Sequence, residues 1–321
     1  LKALITGIGG FVGGHLAYHL LAEGGTDVFG TTYFAPEEYG HLDPEKLDLR
    51  QINLTDRDVV RRTLKEIRPD AIYHLAAQSF VPESFDDPWG TLGNNIQAQL
   101  NLLLGLLELD LDARFLVVGS AEVYGIVSPD EVPVDENQPF RPANPYSVSK
   151  VAQDMLGLQY YLSHSLPIIR VRPFNQIGPG QSKRFVAPAF ASQIASIEAG
   201  HQEPVMYVGN LKARRDFTDV RDMVRAYRLI MTHGEPGAVY NIGTGEAHSI
   251  RELLDVLLHL TDTPIEVKTD PSRMRPVEVP VLACDTSRVR AATGWEPAFT
   301  FEQTLEAVLE DWRGRTRMDA V

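Results

Sequence analysis

The sequence predicts an α/β protein: a doubly wound parallel sheet carrying a smaller C-terminal substrate-binding lobe. Three observations lead there. Short apolar runs alternate with stretches of helical period through the first half of the chain, which implies crossover units. The first apolar run ends in a glycine turn that opens the first helical stretch. After Pro173 the alternation loses its regularity, so the second lobe belongs to the C-terminal half.

Ala3 to Thr6, Asp27 to Thr31, Ala71 to Leu75, Phe115 to Val118 and Ile168 to Val171 read as buried strands. Phe11 to Glu23, Asp56 to Ile67, Thr91 to Leu109 and Tyr146 to Ser163 read as the helices between them. This is a Rossmann-like arrangement, and residues 1–173 are expected to form the dinucleotide-binding domain, with a later return near 209–243. Residues 174–321 are expected to form the lobe, discontinuous in sequence. In it, Gly178-Pro179-Gly180-Gln181 reads as a loop, Phe190 to Ala199 as a helix, Pro204 to Val208 as a short strand and Asp219 to Thr232 as a helix. Val239 to Ile242 is a strand ending at Gly243, and Ile250 to Leu260 a helix. The tail with Pro271, Pro276, Pro280 and Pro297 is expected to hold only short regular pieces.

Composition removes several classes. With 321 residues, 44% hydrophobic and 23% charged, the chain is neither disordered nor collagen-like. A net charge of -13, from 43 acids against 30 bases, argues against general nucleic-acid or anionic-lipid binding, so an anionic ligand needs a local cationic cluster. The lone thiol, Cys284, makes neither an internal disulfide nor a cysteine-based zinc site. No apolar run reaches the ~18 residues of a membrane span, and Lys2-Ala3-Leu4-Ile5-Thr6-Gly7 lacks the pattern of a signal peptide. A reducing cytoplasm is the expected compartment.

Gly7-Ile8-Gly9-Gly10-Phe11-Val12-Gly13 is GxxGxxG between a strand and a helix. Gly7 permits the tight turn, Gly10 lets backbone approach a pyrophosphate, and Gly13 allows close helix-to-sheet packing. The expected cofactor contacts are Gly7, Gly10, Phe11, Val12, Gly13, Thr31, Asn53, Leu54, Leu75, Ala76 and Ala77, joined by Tyr146 and Lys150. Phe29-Gly30-Thr31-Thr32-Tyr33-Phe34 ends the second strand without the acid that would repel a 2′-phosphate, so NADP(H) is slightly preferred over NAD(H). The nearest base is Arg50.

Asn144-Pro145-Tyr146-Ser147-Val148-Ser149-Lys150 sets YxxxK at a helix start, with Asn144 as N-cap and Pro145 in the first helical position. Tyr146 and Lys150 then share one face, where the ammonium and the helix N-terminus are expected to lower the tyrosine pKa. Val117-Val118-Gly119-Ser120-Ala121-Glu122 delivers Ser120 and Glu122 to the C-terminal edge of the sheet. Ser120 suits donation to a substrate oxygen. Glu122 suits a base or an acceptor for a sugar hydroxyl.

In chain order, the glycine turn at Gly7 to Gly13, the Ser120-Ala121-Glu122 segment and Tyr146 to Lys150 resemble an extended short-chain dehydrogenase/reductase of the sugar-nucleotide branch, over essentially the whole chain. The resemblance implies Ser120, Tyr146 and Lys150 as the catalytic triad, Asn95 as its support from the neighbouring helix, and a nicotinamide that carries hydride to or from a sugar carbon. It implies a substrate diphosphate contacted by Asn175 and Arg215, with Arg275 meeting phosphate or ribose, Glu278 accepting from a ribose hydroxyl or a guanine amine, and Val186 and Glu122 among the substrate contacts. Val208 to Val220 and Arg275-Pro276-Val277-Glu278-Val279 resemble elements of GDP-mannose dehydratases and their reductase relatives, which implies a GDP-sugar. Phe174-Asn175-Gln176-Ile177-Gly178-Pro179-Gly180-Gln181 resembles the loop of GDP-4-keto-6-deoxy-D-mannose reductases, and Ala121 stands where dehydratases usually carry Asp or Ser. The implied reaction is reduction of the C4 ketone to a GDP-6-deoxyhexose such as GDP-D-rhamnose, with Glu122 positioning the sugar. GDP-mannose 4,6-dehydratase or an epimerase is the alternative, and a non-catalytic dinucleotide sensor a further one. The helices beginning near Thr91 and Tyr146 resemble a family four-helix homodimer interface.

Overall fold

A computed structural model describes residues 1–35, 42–43, 45–271 and 279–318. The chain opens with β1 (Lys2–Thr6), α1 (Phe11–Glu23), β2 (Asp27–Thr32), β3 (Asp48–Gln51), α2 (Arg57–Ile67) and β4 (Ala71–His74). It continues through α3 (Val81–Asp86), α4 (Pro88–Glu108), β5 (Arg114–Val118), α5 (Pro145–His164) and β6 (Ile168–Pro173). With β10 (Val239–Ile242), these strands make one parallel sheet in the order β10-β6-β5-β4-β1-β2-β3.

Both faces of the sheet are covered, which explains why its strands read as continuous apolar runs rather than alternating ones. Successive side chains still point to opposite faces. Ala3, Ile5, Tyr73, Leu116 and Val118 pack on one side with α1. Leu4, Ile72, Phe115 and Val117 pack on the other with α2, α4 and α5.

The second lobe centres on β9 (Arg214–Asp219), flanked by β7 (Asn175–Ile177), β11 (Ala247–Ser249) and β13 (Val281–Leu282). A parallel pair, β8 (Val205–Val208) with β12 (Glu266–Thr269), lies beside it. Helices α6 (Val186–Glu198), α8 (Ile250–His259) and α10 (Phe301–Met318) enclose its core. By contrast α7 (Val220–His233) and α9 (Ser287–Thr293) return to the large sheet, where Met223, Tyr227, Val289 and Trp295 join its core.

The C-terminal tail is the clearest departure from expectation. Instead of short pieces alone, it ends in the 18-residue α10, with Phe301, Leu305, Val308, Leu309 and Trp312 facing the lobe core. The prolines punctuate the chain only up to Pro297. The i, i+4, i+7, i+8, i+11 apolar spacing beyond that point carries a full amphipathic helix. The run Arg214 to Asp219 forms the central strand of the small sheet.

Candidate active site

Strand order reverses direction between β1 and β4, the place where open α/β sheets bind ligands at their C-terminal edge. A crevice of about 710 Å³ lies there, within the usual range for small-molecule sites. Gly7 has φ +72°, and a Cβ on it would come within 2.9 Å of the Ala76 backbone, so only glycine lets the ends of β1 and β4 meet this closely. A Cβ on Gly13 would lie 2.3 Å from the Gly7 carbonyl oxygen, which explains how α1 starts so near the sheet. At the α1 N-terminus no side chain caps Gly10 and the first turn carries no acid. The first amide groups of α1 therefore form an anion-binding end. This cradle fits a dinucleotide pyrophosphate.

All the residues assigned to the cofactor line this one crevice: Gly7, Gly10, Phe11, Val12, Gly13, Thr31, Asn53, Leu54, Leu75, Ala76, Ala77, Tyr146 and Lys150. Ser120, Glu122 and Asn175 line it too. Thr32, Tyr33 and Phe34 close the end beyond β2, again without an acid. Arg50 is not among the lining residues; its guanidinium pairs with Glu66 at 2.6 Å and Asp48 at 3.1 Å.

Tyr146 and Lys150 emerge from the first turns of α5, whose capping box is formed by Asn144 and Ser147, with Pro145 at the first helical position. Asn144 also donates through Nδ2 to Glu122 Oε2 at 3.2 Å, tying the N-cap to the strand-end turn. Tyr146 and Lys150 are 8% and 4% exposed. Lys150 Nζ donates to the Val118 carbonyl at 2.9 Å and lies 5.9 Å from the centre of the Tyr146 ring.

The expected lowering of the Tyr146 pKa is corrected by this geometry. Burial pushes the phenol well above its ordinary value, and the Glu122 charge adds to that, while a hydrogen bond with Ser120 opposes it. Burial outweighs the helix N-terminus because the phenolate would lose its hydration. The same burial brings the Lys150 ammonium down to about 7. Burial thus favours the neutral form of both groups, Tyr146 beside Ser120 and Lys150 with N–H groups beyond the one given to Val118.

Buried polar groups hold this arrangement. Asn95, fully buried on α4, accepts from the Gln78 amide at 2.8 Å and donates to the Gln78 carbonyl and to Ser149 Oγ, both at 3.0 Å. Ser149 in turn donates to the Tyr146 carbonyl at 2.7 Å. Behind the site, Asp154 accepts from Arg170 and Arg172, each at 2.8 Å, and Arg172 donates to the Tyr124 hydroxyl at 2.9 Å. Beneath Lys150, His74 shares a 2.8 Å hydrogen bond with Thr6 Oγ1, and burial lowers its pKa to about 3.

The residues expected to meet the substrate divide. Asn175 stands on β7 at the crevice edge, and Val186 lines a smaller recess of about 100 Å³ continuous with it. Arg215 lies on β9, where Nη1 donates to the carbonyls of Arg214 at 2.8 Å and Val279 at 2.7 Å. It lines neither cavity. Arg275 and Glu278 fall outside the described residues. Residue spacing did not single out Gln78, Ser79, Val81, Glu83, Gln176, Gln181 and Phe185, which also line the crevice. Gln176 and Gln181 belong to a recognisable loop motif, but which of its letters face a ligand depends on the pairing of β7 with β9.

The family model for GDP-mannose 4,6 dehydratase matches residues 4–308. GDP-6-deoxy-D-mannose reductase of Pseudomonas aeruginosa is 38% identical over 316 residues, 98% of each chain. GDP-mannose 4,6-dehydratase of Vibrio cholerae is 31% identical over 352 residues, 97% of this chain and 93% of that one. Among solved structures, RMD from Pseudomonas aeruginosa complexed with NADPH superposes with a TM-score of 0.87 at 37% identity, covering 98% of this chain and 99% of that one. UDP-glucose 4-epimerase of Thermus thermophilus in complex with NAD gives 0.88 at 28% identity, with the same coverage. No helix among the described residues is long and apolar enough to cross a membrane.

Proposed function

The chain belongs to the GDP-mannose 4,6-dehydratase family, and from that membership and the chemistry of the crevice we propose that it is a ketone reductase of the family. It reduces the C4 ketone of GDP-4-keto-6-deoxy-D-mannose to a GDP-6-deoxyhexose such as GDP-D-rhamnose. The observation that carries this reading is the convergence of Tyr146, Lys150 and Ser120 on the switch-point crevice, with no second acid at position 121 to partner Glu122. When bound, the reduced nicotinamide supplies hydride. Tyr146 gives its proton to the developing alkoxide, Ser120 orients the carbonyl oxygen, and Lys150 supplies N–H donors beside the Tyr146 ring. Glu122, engaged by Asn144, positions the sugar.

The likeness to a GDP-6-deoxy-D-mannose reductase supports this over the dehydratase. The NADPH-bound relative and the acid-free end of β2 support NADP(H) over NAD(H). Asn175 and the α6 N-terminus at Val186 are the substrate contacts that line the cavities. The homodimer belongs to the same proposal: Val148, Met155 and Leu162 recur every seven residues on α5 and stay 43%, 38% and 69% exposed. These form one apolar stripe beside α4.

Purified protein is to be given either GDP-mannose without reduced cofactor or the preformed 4-ketone with NADPH. Turnover of the ketone alone is expected, and formation of a 4-keto-6-deoxy product from GDP-mannose would refute a pure reductase. In Tyr146→Phe, kcat should fall by about a hundred- to ten-thousand-fold. Wild-type turnover in that variant contradicts the proton-donor role.

A further inference from the structure

The segment leading into α6 crosses the mouth of the small recess and touches the loop before α3 on the opposite lobe. Arg184 lays its guanidinium 3.8 Å from the centre of the Phe80 ring, and its Nη2 pairs with Glu83 Oε2 at 2.8 Å. Phe185 meets Phe80 edge-on, with ring centres 6.0 Å apart. Arg184 lines the recess beside Asn175 and Val186, while Glu83 lines the cofactor crevice.

Two features of the recess call for a ligand. The 13-residue α6 starts after Phe185 with no side-chain cap and no acid in its first turn. Gln181, 6% exposed, donates Nε2 to the Gln176 carbonyl at 2.9 Å, which fixes its amide orientation and leaves Oε1 buried with no donor among the described residues. A cation and a helix N-terminus beside an orphan acceptor are complementary to a phosphate carried next to a hydroxyl-bearing ring.

We propose that Arg184 grips the diphosphate of the sugar nucleotide and that Glu83 is its exchange partner, holding the guanidinium until the anion arrives. This rests on the sugar-nucleotide reading above. The side chains of the pair are 52% and 48% exposed, so water screens it and breaking it is cheap. The planar fork fits phosphate oxygens as well as it fits a carboxylate, and in the recess the phosphate also faces the α6 N-terminus. Stacking on Phe80 keeps the guanidinium plane in place during the exchange.

Calorimetric titration of the full chain with GDP, UDP and dTDP tests the exchange through opposite signs. Arg184→Gln should bind GDP about ten- to a hundredfold more weakly, with melting temperature and NADPH affinity at parental values. Glu83→Gln should bind it about two- to fivefold more tightly, and the double variant should match Arg184→Gln. Weakening by both single variants would make the pair a plain interlobe latch and overturn the proposal, as would parental GDP affinity in Arg184→Gln. If the parent prefers UDP or dTDP and the opposite signs persist with that nucleotide, the GDP reading fails while the exchange stands. Binding of none of the three refutes both.

Discussion

Lys150 is 4% exposed, and its only protein hydrogen bond among the described residues is to the Val118 carbonyl. Burial holds its pKa at about 7 against 10.5 in the free side chain. Between those values the unfolded chain binds more protons than the folded one, so the stability tied to this residue rises with pH through that window and is lost as pH falls through about 7. Lys150→Met removes the buried charge. The variant should therefore melt above the parent at about pH 6, and its advantage should shrink as pH approaches 10. Denaturation curves across pH check this; a pH-independent difference would place the effect in packing instead. Tyr146 moves the other way under the same burial, because there the charged form that loses its hydration is the deprotonated one.

At the scale of elements, the β1–α1 turn and the start of α5 are built from contacts a few residues long. Gly13→Ala would drive a Cβ to 2.3 Å from the Gly7 carbonyl and 2.7 Å from Ile8 Cα, both backbone atoms that cannot swing aside. It should cost ~1–3 kcal/mol and weaken cofactor binding by shifting the α1 N-terminus. Gly314→Ala, in α10 with nothing within 4 Å of the added Cβ, should instead stabilise by ~0.5–1 kcal/mol. Melting curves and a cofactor titration on both variants separate the two effects. Elsewhere the elements depend on distant partners. Asp154 of α5 sits between Arg170 and Arg172 of β6, a buried cluster whose disruption costs ~3–5 kcal/mol because it strands a charge. Asp154 precedes its partners by 16 and 18 residues, and nothing local marks the contact.

For the whole molecule, the small sheet and its helices lie over the edge of the large sheet, and the exposed stripe of α5 is the face assigned above to the proposed homodimer. Met155→Glu sets a charge in the middle of that stripe and should convert a dimer to a monomer in light scattering, with the α/β circular dichroism unchanged. A parental protein that is already monomeric would refute the homodimer. The return of α7, β10 and α9 to the large sheet means that chain order and lobe membership do not coincide after Pro173. The return expected near 209–243 spans α7 and β10, whereas α9 lies beyond it.

The sequence by itself determined the glycine turn after β1, the capped start of α5 and the alternation that makes a parallel sheet. Each depends on backbone sterics or side-chain caps acting over fewer than about eight residues. Only the tertiary structure decided the sign of the Tyr146 shift, since desolvation is set by everything packed around the phenol. It also decided which cation reaches the recess. Arg215 is spent on the carbonyls of its own strand and of Val279, whereas Arg184 is carried to Glu83 across 101 residues of sequence. Such pairings depend on how elements far apart in the chain come to lie together, and residue spacing carries no record of that distance.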